Sequence, residues 1–487
     1  MQTLSTFLIV KNEEKFIASC LNSIKDISDE IVIVDTGSTD NTLELIKQFN
    51  VKLYHYKWNH NFSDARNFAL KHCSKDLILY IDADEKLTEN SRKIIKQIKL
   101  NNTPNKIGYL CKVKSISLIT HKATNQMSYP RLFNNSNEIA FRGAIHEQIL
   151  ESLLDNNYII LNSDIEILHY GYDYSKEALL KKAKRNLEIL LNNPEINWYY
   201  CFQLAQTYSI LGNNDEAFIY MNKALDFEDI PNDYKSHIAR YIADYYLNEN
   251  NLKKALEFIK IGLLANPAQP LLNLVAANYY YKIGNFKNFI KHIDIAYINN
   301  QQYLQEFCTA TFEIFVEPEK IIYFALNGIY TYKNFDNLNF YLNELQKIDS
   351  RLSLIIKKII SQNVIDTNEQ NYLIECLNEY NIDFLANILQ NYNHLDIAET
   401  LLKIFLSKFI DNTFILNALS NIYITSNNLQ EAKIFLEKSF SIDSKLSTAL
   451  YLAATYIKLN DKNNYKKIYS FIKNNNNEIA KTLPQDI

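Results

Sequence analysis

Residues 77–87, LILYIDADEKL, decide how the first part of the chain is interpreted. The run is apolar enough for a buried strand, yet it ends in three acids within four residues, Asp82, Asp84 and Glu85. Alternate side chains of a strand share a face, so Asp82 and Asp84 can converge at its carboxyl end. Such close like charges repel unless a cation, a turn or solvent relieves them. Two converging carboxylates predict a hard oxygen site for Mg²⁺ or Mn²⁺; alternatively, Asp84 or Thr88 caps the next helix and the acids are solvated.

Around this stretch, short β-branched runs alternate with amphipathic ones up to about residue 172. The predicted strands are 6–10, 30–35, 51–56 and 77–82, and the predicted helices are 14–24, 41–49 and 64–73. Alternation of this kind builds a parallel α/β sheet with right-handed crossovers. Ligands of such sheets bind at the carboxyl ends of the strands, where this chain places most of its polar motifs.

The second strand ends in one of these polar motifs, IVIVDTGSTDNT at residues 31–42. Its acid, glycine turn and Ser/Thr/Asp helix start can offer backbone N–H groups and a carboxylate to a nucleotide. The same residues also suit a plain turn followed by a helix cap.

Beyond residue 174 every periodic segment indicates helix, and small and aromatic residues recur with a period of about 34. One set of five recurs twice: Ala205, Tyr208, Gly212, Ala217 and Ala224; Ala243, Tyr246, Asn250, Ala255 and Gly262; Ala277, Tyr280, Gly284, Phe289 and Ala296. A second set stands near the C-terminus: Ala386, Ser420 and Ala454, with Ala398 and Ala432. The pattern resembles tetratricopeptide repeats and is weak between about 300 and 380, where we expect degenerate helical hairpins. A generic helical bundle is the alternative.

Composition narrows the classes of protein that this chain can represent. A net charge of −4 with dispersed Lys and Arg argues against nucleic acid as the main partner. No apolar run reaches the roughly 18 residues that a membrane span needs, and the start lacks the features of a signal peptide. The six cysteines are widely spaced, which indicates reduced thiols of a cytoplasmic protein.

Four ordered motifs together resemble the family-2 glycosyltransferases of the GT-A fold. They are FLIVKNEEKF (7–16), IVIVDTGSTDNT (31–42), FSDARNFAL (62–70) and YIDADE (80–85). The resemblance covers roughly residues 3–172 and implies an α/β, Rossmann-like, mostly parallel GT-A domain. We therefore predict a GT-A domain at 1–173, a linker helix at 174–195 and an all-α tetratricopeptide-like solenoid at 196–487.

The resemblance also implies roles for residues at the strand ends. Asp35 would hold the nucleoside and Arg66 would lie near the base or diphosphate, whereas Asp82 would contact the ribose or the metal. Asp84 would hold the Mn²⁺ or Mg²⁺ that bridges the diphosphate of a nucleotide-sugar donor. Many relatives carry a second acid where this chain has Thr36, so the nucleotide stays open.

Downstream, YPRLFNNSNEIAFRGAIHEQI (129–149) resembles the acceptor side of the same fold. There Glu147 matches the general base of inverting members, with a surface helix residue as its alternative, and Arg131 would stabilise the leaving diphosphate. In the run 165–172, His169 matches a late histidine that often serves as third metal ligand, although a buried core histidine is the alternative.

The combined resemblance implies a metal-dependent inverting glycosyltransferase. A GT-A domain followed by such helices resembles bacterial protein and peptide glycosyltransferases, including sublancin-type enzymes that modify cysteine, so a polypeptide acceptor with a Ser, Thr or Cys nucleophile is favoured. The repeats would bind that acceptor, and a homo-oligomer is possible. One alternative is an envelope-polysaccharide or lipopolysaccharide-core glycosyltransferase, for which 175–191 is a weak membrane-facing candidate. The second alternative is a non-catalytic repeat scaffold, but the acids at 82, 84 and 147 argue against it.

Overall fold

A computed structural model of the chain describes residues 1–101, 106–116, 123–170, 176–192, 194, 197–305 and 316–484. Among these residues a strand-rich part is followed by helices only, which confirms the predicted fold class. The predicted boundary between residues 173 and 174 lies outside the described residues and stays a prediction.

One sheet of eight strands forms the N-terminal part. The strands are β1 (Leu4–Val10), β2 (Glu30–Asp35), β3 (Lys52–His55), β4 (Leu77–Tyr80), β5 (Glu85–Leu87), β6 (Ile107–Ile116), β7 (Ala123–Asn134) and β8 (Ile159–His169). They lie in the order β3-β2-β1-β4-β7-β6-β8-β5. The first four are parallel, as predicted, whereas β7 runs antiparallel to both β4 and β6. The carboxyl ends of β1, β2 and β4 therefore lie at one edge.

Helices cover both faces of this sheet because its strands are apolar on both sides. They are α1 (Ile17–Ile24), α2 (Thr42–Ile46), α3 (Phe62–Lys71), α4 (Glu89–Leu100) and α5 (Leu150–Asp155). On one face Leu8 and Ile33 join a core that includes α1, and on the other Phe7 and Val32 join a core that includes α3. The central strands β1, β2 and β4 are thus buried at every residue except the half-buried Ile9.

Side-chain caps fix where two of these helices begin. Asn61 accepts a hydrogen bond from the backbone N–H of Asp64 at 3.1 Å, so α3 begins two residues before its predicted start. Thr88 caps α4 in the same way through the N–H of Ser91, at 3.1 Å. The cap that the sequence offered as an alternative to a metal site is therefore present at Thr88, which leaves Asp84 available for another role.

The remaining helices pair as antiparallel hairpins after a single helix, α6 (Lys176–Asn192), which lies within the predicted linker. The pairs are α7 (Trp198–Ile210) with α8 (Asn214–Leu225), α9 (Asn232–Asn248) with α10 (Leu252–Ala265), α11 (Pro270–Lys282) with α12 (Phe286–Gln305), α13 (Pro318–Tyr332) with α14 (Leu338–Ile348), α15 (Ser350–Ile360) with α16 (Thr367–Glu375), α17 (Ile382–Leu389) with α18 (Leu395–Lys408), α19 (Thr413–Thr425) with α20 (Leu429–Ile442), and α21 (Leu446–Leu459) with α22 (Lys462–Asn475), before the short α23 (Asn477–Ala480). Part of the weak region, 306–315, lies outside the described residues; the described part of 316–380 forms hairpins, as expected.

Left-handed residues end the first helix of most hairpins. Gly212, Asn250 and Gly284, which the repeat pattern aligned, have φ of +79°, +55° and +75°. The next N–H then reaches back to a carbonyl of the helix, as from Asn213 to Tyr208 at 2.9 Å. Glycine or asparagine is expected at such a position because a left-handed backbone strains other side chains.

The last repeat corrects one element of the predicted periodicity. The small residues Ala386 and Ser420 are buried, but Ala454 is exposed and its neighbour Ala453 is buried instead. The helix α21 begins 33 residues after α19, at Leu446 rather than one residue later. A loop shorter by one residue shifts the contact position by one.

The chain forms two compact units. The first comprises Met1–Val275 and Ile298–Phe315, and the second comprises Ala276–Tyr297 and Val316–Ile487. The sheet and the first two helical hairpins belong to the first unit. Within the described part of the chain, no helix combines the length and apolar character that crossing a membrane requires.

Candidate active site

The three acids that follow β4 have three different surroundings. Glu85 points into the protein, where only 2% of the residue is exposed. It accepts hydrogen bonds from the backbone N–H of Asp82 and from Nη2 of Arg131, both at 2.8 Å. Burial raises the pKa of Glu85 to about 7, although Arg131 acts in the opposite direction. Glu85 is thus a structural acid, held by the cation beside it.

Asp82 lies between two arginines. Nη2 of Arg66 donates to Oδ1 at 2.8 Å, and Nη2 of Arg131 lies 3.6 Å from Oδ2. Burial alone would raise the pKa of Asp82, but these two guanidinium groups outweigh burial and hold it well below its usual range. Part of the repulsion expected in this cluster is therefore relieved by arginine.

Asp84 faces His169 because of how β5 and β8 pair. The register sets Glu85 opposite His169, and the N–H of Tyr170 donates to the carbonyl of Asp84 at 3.0 Å. Nε2 of His169 then lies 3.1 Å from Oδ2 of Asp84. Burial would lower the pKa of His169, but the hydrogen bond with Asp84 outweighs it and raises that pKa.

The structure brings together only two of the three predicted metal ligands. Asp84 and His169 offer an oxygen and a nitrogen side by side, whereas the oxygens of Asp82 are taken by Arg66 and Arg131. Among the residues that the structure describes, no three or more His, Cys, Asp or Glu side chains have the arrangement to hold a metal ion. Metal binding by these residues stays a prediction.

Arg66 joins Asp82 to Glu147, the predicted base. Its Nε donates to Oε1 of Glu147, while Nη2 holds Asp82. The side chain is 7% exposed and packs over the rings of Tyr80 and Phe141, with its guanidinium carbon 5.3 and 5.7 Å from their centres. Its role near a nucleotide stays a prediction; what the structure records is a bridge between two carboxylates.

The position of Arg66 follows from how α3 is held against residues 141–144. The N–H of Phe62 donates to the carbonyl of Ala144 at 2.8 Å, and the amide of Asn67 exchanges two hydrogen bonds with the backbone of Phe141. Because these contacts fix the helix, the arginine between them points at the end of β4.

Arg131, predicted to stabilise the leaving group, is 6% exposed and stacks on Tyr80, with its guanidinium carbon 4.5 Å from the ring centre. Besides Glu85 and Asp82 it has further donors: its Nε and Nη1, like Nη1 of Arg66, are buried and have no hydrogen-bond partner among the described residues. Buried donors without acceptors are costly, so these atoms indicate a site that an anion would complete.

Asp35, the predicted nucleoside ligand, lies in the turn after β2. Its two oxygens accept from the N–H groups of Gly37 and Ser38 at 3.1 and 3.0 Å, and Nδ1 of His55 lies 3.4 Å away. This is the plain turn that the sequence allowed. Thr36, which replaces the second acid of many relatives, turns inward and donates to the carbonyl of Val10 at 3.1 Å.

Two charged residues near the acids received no site role from the sequence. Burial, together with Asp84 and Asp82, raises the pKa of Glu13 to about 7. Burial, together with the charge of Arg185, lowers the pKa of Lys182 on α6. The negative charges of Asp84 and Asp82 act in the opposite direction. Glu13 could have been found from its place in the first motif. Lys182 could not, since its helix was interpreted as a linker.

Comparison with known proteins follows the same division of the chain. Residues 5–156 match the model of the glycosyl transferase family 2, and residues 199–229 and 415–446 match a tetratricopeptide repeat. The chain thus contains a family-2 glycosyltransferase domain and tetratricopeptide repeats, which confirms the resemblance that its motifs indicated.

Similar curated proteins include the SPbeta prophage-derived glycosyltransferase SunS of Bacillus subtilis, 30% identical over 235 residues, which cover 46% of this chain and 53% of SunS. An uncharacterised glycosyltransferase of Rickettsia typhi is 32% identical over 193 residues, covering 38% and 65%. The chain spans about half the length of the first of these. Among solved structures, Staphylococcus aureus TarS 1–349 in complex with UDP-GlcNAc is 16% identical with a TM-score of 0.31, covering 62% of this chain and 92% of that one.

Proposed function

We propose that the chain, which carries a family-2 glycosyltransferase domain over residues 5–156, is an inverting glycosyltransferase. It transfers a sugar from a nucleotide-diphosphate donor to a serine, threonine or cysteine of a polypeptide. The observation that carries this proposal is Arg66, which binds Asp82 on the donor side and Glu147 on the acceptor side at once. A buried bridge of this kind sets the distance between a donor-binding acid and a base.

In the proposed reaction Glu147 takes the proton of the acceptor hydroxyl or thiol as its oxygen or sulfur attacks the anomeric carbon. The bond between that carbon and the diphosphate breaks, and the nucleotide diphosphate leaves with the bonding electrons. Attack from the face opposite the leaving group inverts the anomeric configuration. Arg66, whose Nε donates a hydrogen bond to Oε1 of Glu147, holds that carboxylate in one orientation.

The diphosphate would find its partners among the arginines. The Nη1 atoms of Arg66 and Arg131 are buried and have no hydrogen-bond partner among the described residues. They could donate hydrogen bonds to the oxygens of an anion. A cation at this place stabilises negative charge as it develops on the leaving group. This supports the predicted role of Arg131, in addition to its contact with Glu85.

A divalent cation would fit beside these residues. Asp84 and His169 present the carboxylate oxygen and imidazole nitrogen that Mn²⁺ accepts, 3.1 Å apart. When bound, such an ion would neutralise diphosphate charge. Asp82, the third predicted ligand, would join Asp84 and His169 only if it gave up its contact with Arg66 or Arg131.

A polypeptide acceptor is favoured by the tetratricopeptide repeats, since repeat arrays offer extended surfaces for peptide segments. The partial similarity to SunS, named a glycosyltransferase, supports the same reaction class. The five described cysteines are free thiols, which suits a cytoplasmic location. Cell fractionation tests the location, and light scattering of the purified protein tests for a homo-oligomer.

The test incubates the purified chain with a panel of nucleotide sugars, Mn²⁺ and peptides, and weighs the products. We expect a peptide that is heavier by one sugar residue. Glu147→Gln should lower kcat by about 10²- to 10⁴-fold because it removes the base. Glu138→Gln, an exposed glutamate paired with Lys106, is the matched control and should retain activity.

A parallel variant tests the cation. Asp84→Asn should weaken Mn²⁺ binding, measured by electron paramagnetic resonance with nucleotide present, whereas the exposed Asp164→Asn should not. A sugar found on lipid instead of peptide would favour the envelope-glycosyltransferase alternative. If no nucleotide sugar is consumed under any of these conditions, the proposal is wrong.

A further inference from the structure

We propose that Tyr199, on the first helix of the helical region, is a positioning residue for Glu147. The inference rests on the proposed role of Glu147 as base. It means that the N-terminal domain does not hold its own base unaided: α7 supplies part of the support.

The segment that carries Glu147 is a tight loop. Arg142 and Gln148 pair as an isolated antiparallel bridge, exchanging two backbone hydrogen bonds of 2.9 Å. Between them Gly143 and His146 take left-handed conformations, with φ of +89° and +54°. A histidine with this backbone stores strain, so the loop needs contacts from outside to keep one conformation.

Tyr199 contacts both neighbours of Glu147. Its hydroxyl donates to the carbonyl of His146 at 3.2 Å and accepts from Nε2 of Gln148 at 3.1 Å. Arg66 holds the side chain of Glu147 from the other direction. The carboxylate is thus fixed at its oxygen by α3 and at its flanking residues by α7.

The ring of Tyr199 is itself held in place by aromatic neighbours. Its centre lies 5.4 Å from that of Trp198 and 6.1 Å from that of Tyr234 on α9, and 6.5 Å from that of Phe202. A tyrosine has only two side-chain torsions, so a packed ring gives its hydroxyl a defined position. Burial raises the pKa of Tyr199, which keeps the hydroxyl protonated and able to donate.

This contact joins two segments that match different family models. The family-2 glycosyltransferase match ends at residue 156, and the first tetratricopeptide match begins at 199. Tyr199, whose hydroxyl contacts the loop of the proposed base, is therefore the first residue of the repeat match. Both residues lie in the same compact unit.

The test compares Tyr199→Phe with Tyr200→Phe in the full chain. Each variant loses one hydroxyl from the same helix, but that of Tyr200 donates to the carbonyl of Leu190 on α6, at 3.2 Å. With the donor and peptide identified above, Tyr199→Phe should lower kcat about 10- to 100-fold and leave the KM of the donor within about twofold, because a displaced base slows chemistry without touching the donor. Tyr200→Phe should retain kcat.

Hydrogen exchange supplies a readout that needs no ligand. In Tyr199→Phe the amides of residues 141–149 should exchange faster than in the parent chain, and in Tyr200→Phe they should not. Unchanged kcat and exchange in Tyr199→Phe would overturn the inference, as would equal losses in both variants. If Glu147→Gln retains activity, the proposed base is wrong instead; faster exchange would then support only the bracing of the loop.

Discussion

Arg66 is the residue on which the candidate site depends most. It is buried, its charge is balanced by Asp82 and Glu147, and its ring contacts exclude water from one side. Breaking a buried ion pair by removing one partner is costly because an uncompensated charge stays behind. The bridge therefore serves stability and geometry together.

Replacing Arg66 by Lys separates these two contributions. Lysine keeps the positive charge but cannot hold two carboxylates with a planar fork, so Glu147 loses its fixed orientation. We expect kcat to fall about 10- to 100-fold while the protein still folds. Steady-state kinetics and circular dichroism measure the two effects. The exposed Arg142→Lys, which keeps its ion-pairing charge near Asp155, is the control. Full activity in Arg66→Lys would show that charge alone suffices.

Glu30 gives a pH-dependent prediction far from the acids at 82–85. Burial would raise its pKa, but Lys52 at 2.6 Å, with the hydroxyls of Ser5 and Ser74, lowers the pKa to about 2. Because the folded pKa lies below the unfolded value, these contacts stabilise the protein above about pH 4.5 and lose their effect as the pH falls toward 2.

Glu30→Gln should therefore destabilise the protein by about 1–3 kcal/mol at pH 7, since it leaves the buried hydroxyl of Ser5 and the ammonium group of Lys52 without their charged acceptor. The difference from the parent chain should shrink as the pH falls below about 5. Urea unfolding followed by tryptophan fluorescence at several pH values measures it. A difference that stays constant from pH 7 to pH 4 would contradict the assignment.

At the scale of elements, the helical hairpins depend on close approach at small residues. Gly328 on α13 faces the ring of Phe289 on α12, and a methyl group there would overlap that ring. Both residues belong to the second unit. Overpacking at such a contact forces a ring or a helix to move, which costs about 1–3 kcal/mol.

We predict that Gly328→Ala is destabilised by this amount and that Phe289→Leu partly restores it by making room. Thermal unfolding of the single and double variants gives the coupling energy. Gly284→Ala is the control, since open space surrounds its Cβ position and only its φ of +75° opposes the change. Phe289→Leu should not rescue that variant. Additive effects at positions 328 and 289 would contradict the proposed contact.

Periodicity predicted these elements well where side chains repeat and less well where loops vary. The aligned Gly212, Asn250 and Gly284 all adopt the left-handed backbone that ends a helix. The spacing failed at Ala454, because one loop residue fewer moves the buried position to Ala453. Loop length is set by local turns, and the period of the hydrophobic residues does not predict it.

At the scale of the whole molecule, both tryptophans, Trp58 and Trp198, lie in the first compact unit. Their fluorescence therefore reports unfolding of that unit, whereas helical circular dichroism reports both. A ligand stabilises the unit that binds it, by about 2.7 kcal/mol at a hundredfold excess over Kd.

We predict that Mn²⁺ with the correct nucleotide diphosphate raises the midpoint of the fluorescence transition by several degrees. The midpoint of the dichroism transition that belongs to the second unit should not change. Thermal scans with both probes, repeated for Asp84→Asn, measure the shift and its dependence on that acid. Equal shifts of both signals in both proteins would contradict binding at the predicted site.

The sequence predicted the order of the two structural classes and the strands that carry the acids, because periodicity and motif order are local properties. It also placed Asp84 and His169 at one site, which the antiparallel pairing of β5 with β8 brings about. It missed the partners of Arg66, Arg131 and Tyr199. Those contacts join segments 16 to 81 residues apart, and no spacing rule connects them.

The hydroxyl of Tyr199 also bears on how such chains can arise by gene fusion. Joining a catalytic segment to a foreign helical array after residue 192 would transmit every glycosyltransferase motif intact, yet the loop at 142–148 would lose its two hydrogen bonds with α7. Such a recombinant would keep the glycosyltransferase motifs but lose the contacts of Tyr199 that hold the loop of Glu147. A fusion made after the first hairpin, beyond Leu225, would instead keep Tyr199 and both of its hydrogen bonds to the loop.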